Sequence, residues 1–339
     1  MRAMTNTHSN HKVVFRLSAL GDVVLTTGVI EYWARKHNCT FTVITKNSSS
    51  PVLENNPHIT NVINLEKKDL GDLAWIKKAG QIATEYEDCE LIDLHSTLRS
   101  RILGARWKGK VSRYNKFSLE RRMFKLTRSP KLDRTLSELR VTQRYASALE
   151  ENIPAASELL PRIYLTEDEK SIARTLIEEH DLGQDFIALH PYATHPDKAW
   201  PAENWHTLIK RLNESGIKWT IIGRDDNVFE PHGPGCNFTS QLQLRETCAL
   251  LKKSALLITG DSGPMHLAAS VETPVIAMFG PTSKAWGFYP AGPHDVVLES
   301  EMDCRPCSLH GKSNCKKDRE CLRKITPEEV FEKILGLMR

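Results

Sequence analysis

No apolar run in this chain approaches the length of a membrane span. The first dozen residues, MRAMTNTHSNHK, also lack the apolar stretch of a signal peptide, so the chain is expected to stay in the cytoplasm. No repeat at a solenoid period and no low-complexity segment occurs, which excludes arrays and tails. No G-x-G-x-x-G follows the first strand, so a dinucleotide site of the dehydrogenase kind loses its main support. No sequence-reading module for nucleic acid is present, and nucleic acid is not an expected partner. Cysteines are sparse: of eight in 339 residues, Cys39, Cys89, Cys236 and Cys248 stand singly, which suits a reducing compartment.

The composition that remains, 40% hydrophobic and 26% charged, is that of a globular protein long enough for two cores. Its net charge of +4 hides an uneven distribution, because Arg99 to Arg134 holds 13 Lys or Arg against Glu120 and Asp133. Such a block reads either as a solvated face or as the footprint of an anionic partner. The stretch KFSLERRMFKLTR interleaves Phe117, Leu119, Met123, Phe124 and Leu126 with its charges, as a basic amphipathic helix at a phospholipid surface does.

Both halves of the chain share one pattern. Strand-like KVVF, TFTVIT, DFIALH, KWTIIG, LLITG and PVIAMFG alternate with stretches of helical spacing such as VVLTTGVIEYWARK and AENWHTLIKRLNESG. Alternation of this kind predicts parallel sheets covered on both faces, hence two doubly wound α/β domains with a cleft between them. The boundary is expected between about 153 and 167. Thr326 and Pro327 are the cap and first position of a final amphipathic helix.

In open parallel sheets ligands sit beyond the carboxyl ends of the strands, so the strand-to-helix turns deserve scrutiny. In SALGDVV, Gly21 permits a tight turn and Asp22 opens the helix, either as a simple cap or as a functional carboxylate. In HPYATHPDKAWP, Thr194 and Lys198 offer a hydroxyl and a cation to a diphosphate, although Lys198 could equally be a solvated surface lysine. In TGDSGPMHLAA, Asp261, Ser262, Gly263 and His266 surround a helix entrance; Asp261 could be a cap and His266 a core histidine. The tail CRPCSLHGKSNCKKDREC places Cys304, Cys307, Cys315 and Cys321 where they could hold a structural metal, remain buried thiols or form a redox-labile pair.

Taken in order, S-x-x-G-D, then H-P followed by K-x-W-P, then G-D-S-G-P-M-H-L-A-A and T-P-V-I-A-M-F-G-P-T, the chain resembles glycosyltransferase family 9, the bacterial lipopolysaccharide heptosyltransferases. The resemblance implies a GT-B fold, with an acceptor-binding domain over 1–160 and a nucleotide-sugar-binding domain over 161–325. The helix over 326–339 would pack back towards the first domain. It also implies inverting transfer of heptose from ADP-heptose to the lipid A inner core, without a catalytic cofactor, at the cytoplasmic face of an anionic inner membrane. By resemblance Asp22 is the catalytic base. Thr194, Lys198, Gly223, Asp225, Leu242, Asp261, Ser262, Gly263 and His266 hold the donor, and Arg16 and Ser18 face the acceptor. Arg121, Arg122 and Lys125 are expected to bind acceptor phosphates from a basic face on the N-terminal domain. The family commonly has proline where Gly28 stands, so the helix after the base is expected to differ in shape. The competing readings are another GT-B nucleotide-sugar enzyme, such as an epimerase or a transferase to a different acceptor, and a non-catalytic donor-binding protein.

Overall fold

The structure is a computed structural model that describes residues 10–309, 311 and 314–338. The polar leader read above falls mostly outside that range, as does Arg339. The chain divides into two units, and the second also takes in an excursion from the middle of the first.

The first unit runs to Lys116 and resumes over Val141–Tyr164. Its elements are β1 (His11–Phe15), α1 (Leu20–His37), β2 (Thr40–Lys46), β3 (Ile59–Leu65), α2 (Asp72–Glu85), β4 (Glu90–Asp93), α3 (Leu98–Gly104) and β5 (Val111–Arg113). The strands pair in parallel in the order β3-β2-β1-β4-β5. Val13, Phe15, Ile44, Leu91 and the Trp75 ring of α2 form one core, because strands covered on both faces by helices need apolar side chains on both sides.

Past β5 the chain leaves this unit for α4 (Ser118–Thr127) and α5 (Pro130–Ser137), then returns as α6 (Val141–Ala146). The excursion over Phe117–Arg140 belongs to the second unit. Arg121, Arg122 and Lys125, expected on the N-terminal domain, are therefore carried by the second unit, whereas the seven basic residues from Arg99 to Lys116 stay in the first. Phe124 and Leu136 pack with Ala285 and Trp286 in a small separate core. The Arg121 guanidinium donates to the Trp286 carbonyl at 2.9 Å and lies over that ring, and Arg128 donates to the Cys304 carbonyl at 3.1 Å. Arg140 likewise donates to the carbonyls of Tyr289 and Pro290.

The second unit resumes at Leu165. It contains α7 (Glu167–Glu179), β6 (Ile187–His190), α8 (Ala202–Glu214), β7 (Trp219–Ile221), β8 (Cys236–Asn237), α9 (Leu244–Lys253), β9 (Leu256–Gly260), α10 (Gly263–Ser270), β10 (Val275–Phe279), β11 (Val296–Glu299), α11 (Glu320–Arg323) and α12 (Pro327–Leu337). Its parallel sheet has the order β11-β10-β9-β6-β7-β8. Thr326 caps α12 by accepting from the Glu329 N–H at 3.1 Å, and Pro327 occupies the first turn as its missing N–H permits. The buried face of α12, Val330 and Ile334, joins the core of this second unit beside α8. The tail thus packs within the second unit, where Trp200 also donates to the Ile325 carbonyl at 2.9 Å.

Gly28 has a physical reason to lack a side chain. A Cβ there would lie 2.2 Å from the Leu160 carbonyl oxygen and 2.5 Å from that of Leu159, in the stretch that crosses α1. Both neighbours are backbone and cannot rotate away. Gly28→Ala is therefore expected to destabilise the chain by about 2 kcal/mol by overpacking, although alanine is the better helix former. Urea unfolding monitored by circular dichroism checks this, and an unchanged or stabilised midpoint would contradict the crowded contact.

Candidate active site

Strand order locates the sites before any side chain is considered. In the first sheet the order reverses between β1 and β4, and in the second between β6 and β9. Ligands of open α/β sheets bind at such switch points, beyond the carboxyl ends of the strands. The chain leaving β1 carries Arg16, Ser18 and Asp22, and the chain leaving β4 carries Leu94 and His95. In the second unit the chain leaving β6 carries Thr194 and Lys198, and the chain leaving β9 carries Asp261 and Ser262.

Asp22 lies in the first turn of α1, and its two carboxylate oxygens have separate duties. Oδ2 accepts the Ala19 N–H at 3.0 Å, which caps the helix. Oδ1 pairs with the Arg16 guanidinium at 2.6 Å and accepts the Tyr145 hydroxyl at 2.7 Å. The cap reading and the functional reading of Asp22 are thus compatible. A carboxylate offers about four lone-pair sites, so among the described residues these three contacts leave one open, on Oδ2. Burial by itself would raise the Asp22 pKa, but Arg16, the Tyr145 hydroxyl and the Ala19 N–H together hold it below the ordinary carboxylate value. The carboxylate is therefore ionised throughout the neutral range.

Tyr145 escaped sequence reading, since it is fully buried on α6 and 123 residues from its partner. Its ring lies edge-on to Tyr114 at 5.0 Å and beneath the Arg16 guanidinium at 5.2 Å, which fixes both the hydroxyl and the cation. Arg16 also donates to the Leu94 carbonyl across the switch point. His95 is a second residue missed in the sequence. Burial, then the nearby charges of Arg16 and Lys116, push its pKa down to about 4, which keeps it neutral beside Asp22. Ser18 stands half-buried in the same turn.

In the second unit, Lys198 Nζ and Asp261 form an ion pair at 2.7 Å, and the Thr282 hydroxyl donates to the same Asp261 oxygen at 2.7 Å. The pair is largely enclosed, with side chains 15% and 13% exposed. Lys198 is accordingly a held cation at a switch point, in contrast to a solvated surface lysine. Gly311 lies across its aliphatic stem, where a Cβ would come within 2.1 Å of Lys198 Cδ. Thr282 closes the G-P-T of the quoted motif, but only the fold reveals that it touches Asp261.

Ser262 bonds to the Thr259 hydroxyl at 2.9 Å, and His190 Nδ1 lies 3.1 Å from Thr259 and 3.3 Å from Ser262. This buried network sets the shape of the β9–α10 turn. Gly263 opens α10, and His266 is buried in that helix with its ring 6.3 Å from Phe288. Gly223, at φ +137°, stacks its backbone against His190 and Tyr192, and Asp225 shapes the following turn by accepting the Asn227 N–H at 2.8 Å. Thr194 is exposed and Leu242 half-buried. Arg122 and Lys125 are exposed on α4, whereas Arg121 is engaged with Trp286.

Among the described residues, no three His, Cys, Asp or Glu side chains are arranged to hold a metal ion. The tail cysteines form a thiol cluster in this structure. Burial first, then the adjacent Cys304 thiol, pushes Cys307 up to about 12.

Burial also pushes His190 down to about 4. Because its folded value lies below the unfolded one near 6.5, the stability it confers is complete above pH 6.5 and declines as the pH falls towards 4. At about 1.4 kcal/mol per pKa unit, the decline attributable to His190 is roughly 3 kcal/mol. Thermal unfolding between pH 7 and 4 should show it, and His190→Asn should flatten the curve. An equal slope in the variant would contradict this assignment.

The sequence profile of glycosyltransferase family 9 (heptosyltransferase) matches residues 90–317, two thirds of the chain. The chain belongs to glycosyltransferase family 9. This glycosyltransferase is 27% identical to lipooligosaccharide heptosyltransferase 2 of Haemophilus influenzae over 95% of its own length and 97% of the relative's. It is 26% identical to lipopolysaccharide heptosyltransferase 2 of Salmonella typhimurium over 61% and 64%. Among solved structures, a family 9 glycosyl transferase from Veillonella parvula superimposes with a TM-score of 0.78 at 23% identity, covering 98% of both chains. The ADP-heptose lipopolysaccharide heptosyltransferase II of E. coli does so at 0.71 and 19%, covering 97% and 98%. These structural likenesses establish the two-sheet α/β fold of the GT-B type. No helix among the described residues of this glycosyltransferase is long and apolar enough to cross a membrane.

Proposed function

We propose that this glycosyltransferase moves a heptose from ADP-heptose to the inner core of lipopolysaccharide, with inversion at the anomeric carbon and Asp22 as the general base. The observation that carries the reading is the open lone pair on Asp22 Oδ2, on a desolvated carboxylate that Arg16 and Tyr145 keep ionised and immobile. An acceptor hydroxyl donating there surrenders its proton as its oxygen forms the bond to the sugar. In the same step the bond from sugar to diphosphate breaks, and its electron pair stays on the departing ADP.

Lys198 and the backbone N–H groups that open α10 are assigned to that developing charge. On this reading Asp261 and Thr282 hold Lys198 in place until the diphosphate arrives, and Thr194, Gly223, Asp225, Leu242 and His266 frame the donor. The transfer step is assigned to these groups alone and uses no cofactor. Arg122 and Lys125 supply positive charge for a phosphorylated acceptor.

The assignment of the heptosyl group and of the acceptor class draws support from the Haemophilus and Salmonella relatives, whose names describe heptosyltransferases of lipooligosaccharide and lipopolysaccharide. Incubation with a panel of nucleotide sugars and defined core oligosaccharides, read by mass, tests it. One heptose should be added from ADP-heptose alone. Transfer from a different nucleotide sugar, or to no core acceptor, would overturn the assignment.

A further inference from the structure

The apolar stripe on the outward side of α4, Leu119, Met123 and Leu126, is assigned no part in the transfer step. Phe124, 5% exposed, anchors α4 by meeting the Trp286 ring edge-on at 6.0 Å, while Arg121 and Arg128 reach inward to the carbonyls of Trp286 and Cys304. On the opposite side Leu119, Met123 and Leu126 are 67%, 45% and 83% exposed. Their spacing of i, i+4 and i+7 puts them on one stripe of the helix. Single exposed leucines need no explanation, but three large apolar side chains in one stripe form a surface that excludes water.

Charge decides what fits that surface. Arg122 and Lys125 are exposed along one flank of the stripe, and Lys131 and Arg134 are exposed on the adjoining α5. The excursion over Phe117–Arg140 carries seven basic residues against three acidic ones. An apolar stripe bordered by cations matches the boundary of an anionic bilayer, where acyl chains lie beneath phosphate headgroups.

We propose that α4 is a membrane-docking helix. Leu119, Met123 and Leu126 enter the headgroup–acyl boundary of an anionic phospholipid surface, with Arg122 and Lys125 on the phosphates. This deepens the reading above, on which the acceptor is lipid-borne, and identifies the surface that brings the enzyme to it.

The test sediments the full-length protein with vesicles of phosphatidylglycerol and phosphatidylethanolamine, and separately with phosphatidylcholine, in the absence of donor and acceptor. The protein should follow the anionic vesicles, less so at high salt. The triple variant Leu119→Ser/Met123→Ser/Leu126→Ser should lose at least about tenfold in vesicle affinity. Its turnover on a soluble, deacylated core acceptor should stay at the wild-type rate, so that failure of docking and failure of the transferase reading register separately. In a second variant, Leu126→Trp, the emission difference from wild type should shift to the blue on adding anionic vesicles. Failure of the wild-type protein to bind, equal binding by the triple variant, or an unshifted spectrum overturns the proposal. So does self-association of the wild type that the triple variant abolishes while vesicle binding is absent, because the stripe would then pair copies of the chain.

Discussion

Asp22→Asn is expected to lower kcat by about 10²–10⁴-fold, the usual contribution of a positioned general base, while affinity for ADP-heptose stays essentially unchanged. An amide keeps the shape of the side chain and can still accept a bond from the Ala19 N–H, but it cannot take a proton from an attacking hydroxyl. The substitution also leaves Arg16 enclosed without its counter-charge. Breaking a buried pair from one side costs about 3–5 kcal/mol, so lowered stability of the first unit must be separated from lost chemistry. The double variant Arg16→Met/Asp22→Asn makes that separation, since removing both charges should recover most of the stability and none of the turnover. Steady-state kinetics, calorimetric titration with ADP and thermal unfolding supply the three readouts. If Asp22→Asn turns over at the wild-type rate, the carboxylate is only a helix cap.

Lys198→Ala has the second largest expected effect, and it acts on the donor. Removing a desolvated cation from its charged partner across a binding interface typically costs about 2–5 kcal/mol, so losing the Lys198 contact to the diphosphate should lower ADP affinity by roughly 10²-fold. Part of that loss comes from Asp261, which then confronts the diphosphate with an uncompensated negative charge. Asp261→Asn by itself releases Lys198 and should affect ADP binding far less. The double variant Lys198→Ala/Asp261→Asn should accordingly bind ADP better than Lys198→Ala alone, because the two sites are coupled. Strictly additive losses in this cycle would show that the 2.7 Å contact has no energetic meaning for the donor.

The turns at the switch points could be read from sequence because both chemistries are local. A glycine, a small polar residue and a charged group close behind an apolar strand are visible in SALGD and TGDSG without knowledge of their partners. The fully enclosed strands β9 and β10 were similarly plain, as continuous apolar runs. Less could be inferred for β3, whose sequence ITNVINL mixes asparagine into a half-exposed strand, or for β5 and β8, which have three and two residues.

Long-range contacts were hidden for a different reason. The amphipathic spacing of α4 reveals that it has an apolar side, but not that Phe124 finds Trp286, 162 residues later, and so draws the excursion into the second unit. Likewise nothing near Asp22 announces Tyr145, and nothing near Lys198 announces that Asp261 neutralises it. Sequence order alone assigned α4 and α5 to the first domain, and the arginine-to-carbonyl bonds of Arg121, Arg128 and Arg140 place them in the second unit.

The anomeric configuration of the linkage that the enzyme makes tests the central claim most directly, because one base and one direct displacement permit only one stereochemical outcome. Nuclear magnetic resonance of the product, through the one-bond carbon–proton coupling at the new anomeric centre, should show the configuration opposite to that of the donor. Retention of the donor's configuration would contradict the account, since it requires an enzyme-bound or front-face intermediate in which Asp22 is not the group that receives the acceptor's proton during a single inversion.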